Sequence, residues 1–241
     1  MNHVKLQFSD GRSDVEGIDN VNHVLRSVGV RTSTVDIPVD ARPILEAAQH
    51  RAITEAEQLE LVNIFSMDRA DLLEQVKLAG RTPEVHRGGH LATAEGGNPA
   101  YPKVYDMQAM TPEMRVWALN RYGRLHVNSS DNGSGIDEVM TVVSGGAFTW
   151  CYVLPDGVIA RLTVQHVGLE GPAIRLSYPG MGPHAGYMDP EKGLIVAYAH
   201  GPEEFVIRFD EPTAPYNELL NTNPWVDFSG DVPTLRDKVE G

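Results

Sequence analysis

The sequence predicts a mainly β protein preceded by an α-helical extension, and three observations carry that expectation. From Leu125 to Asp210, short β-branched or aromatic runs alternate with turn chemistry such as Ser-Gly-Gly, Pro-Asp-Gly and Glu-Gly-Pro, the pattern of a sandwich or barrel. Between Ala41 and Gly80 the apolar residues recur at helical rather than strand spacing. The 241 residues, 41% hydrophobic and 22% charged, have the composition of an ordinary globular chain with a core of its own.

Taken in order, Asp19 to Ser27 predicts a helix and Val28 to Ile37 a β-prone run. Thr54 followed by Glu57 has the form of a capping box, with Leu59, Val62 and Phe65 expected on one buried face. Asp68 predicts the cap of a second helix through Gly80, with Leu72, Leu73 and Val76 inward. A connector rich in glycine and proline, from Arg81 to Asp106, reads as loop. Thr111-Pro112-Glu113 then opens a helix to about Arg121 with Pro at its first position. The expected division is a mostly helical part over 1–104, a β-barrel over 105–210 and a tail over 211–241 that packs on the barrel or on a partner subunit.

The net charge of −13 argues against a nucleic-acid backbone or an anionic membrane surface as partner. A helix-turn-helix regulator would need a basic recognition helix, and the second helix here is not basic. No apolar run approaches the roughly 18 residues of a membrane span. One cysteine, Cys151, agrees with a reducing compartment, so a cytoplasmic location is expected. No nucleophile elbow, Walker loop or Cys-x-x-Cys pair is present.

Candidate chemistry centres on Gly123 to Gly146, read as a hairpin. His126 and Asn128, two apart on a β run, share a face, and Glu138 shares a face with Met140 and Val142 on the return strand. Asp137 points the other way, and a one-residue slip would exchange the two acids. His184, in the turn Tyr178-Pro-Gly-Met-Gly-Pro-His184, offers a third donor. Two imidazoles and a carboxylate with open positions suit non-haem Fe(II) and accept other divalent ions. The competing reading is that each histidine is a hydrogen-bonded structural residue. His166, His200, Tyr178 and Tyr198 lie in strand-like runs, either lining a cavity or serving the core. His86 and His90 have i,i+4 spacing, but Arg87-Gly-Gly89 between them opposes a helix.

These residues resemble the motifs of the cupin family. The first cupin motif, a glycine, His-x-His, a glutamate and a glycine after six further residues, is similar to His126-Val-Asn128 together with Glu138 to Gly145. The second, Pro-x-Gly-x-x-His, is similar to Pro179-Gly-Met-Gly182-Pro-His184, with the glycine one position late. This chain departs in Asn128, which replaces a histidine, in the eight residues from Ser129 to Ile136, and in Gly123 standing close to His126. The resemblance implies a double-stranded β-helix over about 105–210, with His126, Glu138 and His184 as metal ligands. It further implies a metal-dependent enzyme acting on a small organic molecule, foremost an Fe(II) dioxygenase, with Mn, Ni or Zn and isomerase or decarboxylase chemistry as variants, and a homodimer. Asn128, Tyr178, Tyr198 and His200 are the expected substrate-binding residues. Asn128 also keeps open a metal-free binding protein without catalysis.

Overall fold

The computed structural model describes residues 3–82, 101–129, 133–187, 190–201, 205–237 and 239. The His86/His90 pair lies outside them. Fourteen strands are formed among the described residues: β1 (Val4–Phe8), β2 (Val15–Glu16), β3 (Arg31–Val35), β4 (Lys103–Asp106), β5 (Val127–Ser129), β6 (Asp137–Gly145), β7 (Phe148–Val153), β8 (Ile159–Val164), β9 (Ala173–Tyr178), β10 (His184–Tyr187), β11 (Gly193–His200), β12 (Val206–Arg208), β13 (Val226–Asp227) and β14 (Thr234–Leu235). Two antiparallel five-stranded sheets, β10-β7-β8-β1-β2 and β3-β9-β6-β11-β4, form a cupin-like double-stranded β-helix barrel. A two-stranded β5-β12 ribbon supplements them.

The period of two along each strand divides its residues between interior and outer layers. Val4, Leu6, Met140, Val142, Leu162, Leu176 and Ile195 fill the space between the sheets. On β6 the intervening Val139 and Val143 face outward, where they are covered by helices instead of water. This explains why nearly the whole of β6 is buried and reads as a continuous apolar run. The outer face of the other sheet is covered by the tail, where Trp225 and Val226 pack with Cys151, Val153, Ile159 and Ala185.

The first hundred residues supply strands as well as helices. β1 pairs with β8 and with β2, and β3 pairs with β9, so one sheet takes two strands from this segment and the other takes one. Helices α1 (Ile18–Leu25), α2 (Arg42–Ala47), α3 (Glu55–Ile64) and α4 (Arg69–Leu78) fall close to their predicted places. The Thr54 capping box is closed from both sides, Glu57 N–H to Thr54 Oγ1 and Thr54 N–H to Glu57 Oε2. Asp68 and Asp71 repeat the arrangement at α4. Helix α5 (Pro112–Tyr122) begins at the predicted Thr111 cap.

Two local expectations are corrected. Leu59 is 63% exposed, and the buried stripe of α3 runs through Leu61 and Phe65 at i,i+4. The β-sheet below selects that face, which helical spacing alone left ambiguous. Lys103–Asp106 is strand β4, paired with β11, where glycine and proline content predicted loop. No helix among the described residues is long and apolar enough to cross a membrane.

The exposure difference on α3 separates two neighbouring leucines. Leu61→Ala should destabilise the fold by about 2–5 kcal/mol and Leu59→Ala by under about 0.5 kcal/mol, as read by urea denaturation. The Glu57 carboxyl is held down at about 2 from its ordinary 4.5, first by its bond from Arg51 and then by the Thr54 backbone. A depressed carboxyl stabilises the fold above its unfolded value and loses that contribution as pH falls toward the folded one. Glu57→Gln should therefore flatten the stability profile between pH 4.5 and 2.

Candidate metal centre

The candidate site lies between the two sheets and is assembled by backbone pairing. His126 N–H donates to the His184 carbonyl at 2.8 Å and His184 N–H to the His126 carbonyl at 2.9 Å, which seats the two rings side by side with centroids 4.6 Å apart. Asn128 N–H bonds to Gly180 O, and Ile136 N–H returns to Asn128 O. The turn before His184 is thus stitched to the strand that carries His126 and Asn128. Gly180 tolerates no side chain here, since a Cβ would stand 2.2 Å from Ile136 O and 2.4 Å from Asn128 O. Glu138 enters from the opposite sheet, directly across from Tyr178 on β9 and Ala199 on β11.

The register question is settled by Asp137. It points away from the interior, pairing with Arg81 at 2.6 Å and accepting from Gly180 N–H. Glu138 is the inward acid.

Its carboxylate is buried and fully engaged. Tyr101 O–H donates to Oε1 at 2.9 Å, and Asn128 Nδ2 donates to Oε2 at 2.6 Å. The same Asn128 amide donates to His184 Nε2 at 2.9 Å. Because both partners are acceptors there, the NH2 end of Asn128 must face them. Its Oδ1 is left buried without a hydrogen-bond partner.

Each imidazole is oriented by a backbone carbonyl. His126 Nδ1 donates to Arg124 O and His184 Nδ1 to Gly182 O, both at 2.7 Å. A carbonyl only accepts, so the proton sits on Nδ1 and the Nε2 lone pair is kept available. Burial drives the His126 pKa well below the ordinary value, and the adjacent His184 adds to it. His126 is therefore a neutral imidazole at pH 7.

Tyrosines line the surroundings. Tyr178 packs on His184 at 4.9 Å and on Tyr152 at 5.7 Å between centroids. Burial holds the phenols of Tyr101, Tyr105, Tyr152 and Tyr178 protonated well above their usual range, with the Glu138 charge reinforcing each. The Tyr152 hydroxyl is buried and unbonded among the described residues. A surface cavity of about 500 Å³ reaches Tyr152 beside Arg81, Pro179 and Gly182, so two ring contacts separate it from His184.

Of the predicted residues, His126, Asn128, Glu138, His184 and Tyr178 come together. Tyr198 does not join them: strand alternation turns it to the helical layer, where its hydroxyl donates to Val62 O at 3.1 Å. His200, two residues on, falls on the same side of β11 and stands opposite Asp137 rather than Glu138. Tyr101, Lys103, Tyr105 and Tyr152 were not foreseen. The alternation Tyr101, Lys103, Tyr105 was the available signal, masked by the proline and glycine around it.

In kind, the donors fit a divalent cation. Two imidazole Nε2 atoms are freed by their Nδ1 anchors, His184 Nε2 lies 3.7 Å from Glu138 Oε2, and the Asn128 Oδ1 acceptor is unspent. The Asn128 NH2 nevertheless stands on the lone pairs that a cation would use. Among the described residues no group of three His, Cys, Asp or Glu side chains is already gathered around an ion position.

No protein-family model matches the sequence, and no curated protein matches it. Among solved structures, the chain is similar to an acireductone dioxygenase from Bacillus anthracis described with a cadmium ion in its active centre. The two share 14% identity at a TM-score of 0.56, over 87% of this chain and 99% of that one. At that identity the likeness speaks to the fold, in agreement with the cupin-like barrel.

Removing the Tyr101 hydroxyl leaves a buried carboxylate oxygen without its donor. Tyr101→Phe should cost about 1.5–3 kcal/mol, measured by denaturant unfolding, whereas Tyr198→Phe, with a neutral carbonyl partner, should cost about 1 kcal/mol.

Proposed function

We propose that this chain is a metal-dependent cupin enzyme acting on a small organic molecule, with His126, Glu138 and His184 holding a divalent cation. The observation that carries the reading is the pair of buried imidazoles, each anchored through Nδ1 to a backbone carbonyl, with Glu138 3.7 Å from His184 Nε2. Anchoring of that kind is how proteins orient metal-binding histidines. Fe(II) is the ion best suited to two imidazoles and one carboxylate with open positions, and the fold shared with a dioxygenase makes an oxygen-dependent reaction the first to test.

When bound, the cation would supply Lewis acidity, redox capacity and a template for substrate. The protein's own contribution is the setting. Tyr101 holds one carboxylate oxygen of Glu138, leaving Oε2 directed at His184. The protonated phenol of Tyr152, unbonded among the described residues, can donate to a substrate oxygen, and the apolar barrel wall excludes water. Rotation of the Asn128 amide about its last torsion would exchange Nδ2 for Oδ1, putting the orphaned acceptor on the side of Glu138 and His184, where it could serve as a further donor to a cation. That torsion is broad in amides and costs little by itself.

A second reading is favoured by one observation, the two hydrogen bonds that Asn128 Nδ2 donates to Glu138 and His184. It satisfies the acceptors without any ion and describes a metal-free, small-molecule-binding barrel.

Metal content decides between them. Protein purified without chelator, or loaded anaerobically with Fe(II), Mn(II), Ni(II) or Zn(II), should retain metal that a His126→Ala/His184→Ala double variant does not. Asn128→His should retain it more tightly, because the competing amide donor is replaced by an imidazole. Equal metal content in wild type and double variant under every loading condition would leave the metal-free reading.

A further inference from the structure

The interior carries a positive charge that the metal-centre chemistry does not use. Lys103 begins β4, the edge strand beside β11, paired with Ala197. Val104 packs into the outer helical layer and Tyr105 against the interior core. By alternation Lys103 therefore shares the inner side with Tyr105. Its ammonium lies 4.4 Å from the Tyr101 ring centroid and 4.6 Å from that of Tyr105. These are cation-π distances, and Tyr101 is the residue whose hydroxyl holds Glu138.

Two rings fix the ammonium from the side without consuming its N–H donors. Glu138 does not consume them either, since its oxygens are taken by Tyr101 and Asn128. Among the described residues Lys103 has no carboxylate within ion-pair distance. Burial lowers its pKa to about 8, opposed by the Glu138 charge, which leaves it mostly protonated at neutral pH. A half-buried ammonium, held over two aromatic faces with no carboxylate partner among the described residues, matches one ligand chemistry, an anionic oxygen group.

We propose that Lys103, clamped by Tyr101 and Tyr105, is a substrate-binding residue that selects small organic acids by taking their carboxylate on its ammonium. The inference rests on reading the barrel interior as a substrate site and names the class of substrate it takes. It does not require the metal: with a divalent cation on Glu138 the interior becomes more positive and the preference for an anion stronger, but Lys103 acts in either state.

The test is calorimetric titration of the full chain with malonate and succinate, and with their neutral diamides, at constant ionic strength. Wild type, Lys103→Met, Lys103→Gln and Lys103→Arg are compared, each chelator-treated and each loaded with Zn(II), with metal content measured in parallel. Wild type should bind the acids and not the diamides. Both neutral variants should weaken acid binding about tenfold or more, the size of a lost charge-assisted contact, and Lys103→Arg should stay within about threefold of wild type. Metal content should be unchanged by the Lys103 variants. An inward lysine on an edge strand also deters edge-to-edge pairing, and that role alone would leave acid binding intact in the neutral variants. Such intact binding, equal binding of acids and diamides, or no binding of either acid by wild type overturns the inference. Lys103-dependent acid binding in protein that takes up no metal would sustain it while removing the metal reading.

Discussion

A carboxylate buried between two β-sheets is costly unless its charge is met by donors, and Glu138 is the point at which that requirement organises this protein. Its two oxygens are met from different places in the chain, Oε1 by Tyr101 just ahead of β4 and Oε2 by Asn128 on β5. Asn128 in turn reaches His184 on β10, whose backbone is paired with His126. The cluster therefore joins the two main sheets and the short β5 strand through side chains that no single hairpin brings together. Removing the Tyr101 hydroxyl or the Asn128 amide strands a buried polar group on Glu138.

The same cluster explains why the site has two faces chemically. A hydrogen-bonded Asn128 makes the interior self-sufficient, while its unbonded Oδ1 and the two anchored imidazoles are groups suited to a cation. Both arrangements use the same backbone, and they differ by a torsion at one amide. Around them the phenols stay protonated because burial disfavours the phenolate and Glu138 supplies a neighbouring negative charge. The interior thus presents donors to whatever oxygen-bearing ligand enters. Lys103 stands beside them, its ammonium held by the π-faces of Tyr101 and Tyr105 with no counter-ion among the described residues.

The layers outside the barrel serve the same centre. The helices α2, α3 and α4 cover β6 and β11, so the strand bearing Glu138 is buried on both faces and its register is strongly specified. The Arg81 and Asp137 pair locks that register from the outer side, since a one-residue slip would bury Asp137 and expel Glu138. The Trp225 region of the tail does likewise for β7 and β10, which position Tyr152 and His184.

The sequence by itself determined the features that depend on near neighbours along the chain. Thr54 with Glu57 and Asp68 with Asp71 are local capping contacts, and both closed as their spacing requires. The β-rich stretch from Leu125, the pairing of His126 with Asn128 on one face and the inward Glu138 followed from a period of two. Which face of α3 is buried, whether Lys103 to Asp106 forms a strand, and that Tyr198 turns away from the interior were decided only by the tertiary structure. Each depends on which sheet face a distant helix or strand covers, information that spacing along the chain does not contain. The donors to Glu138 belong with these: Tyr101 precedes it by 37 residues and Asn128 by 10, and only the closed barrel brings the three side chains to one point.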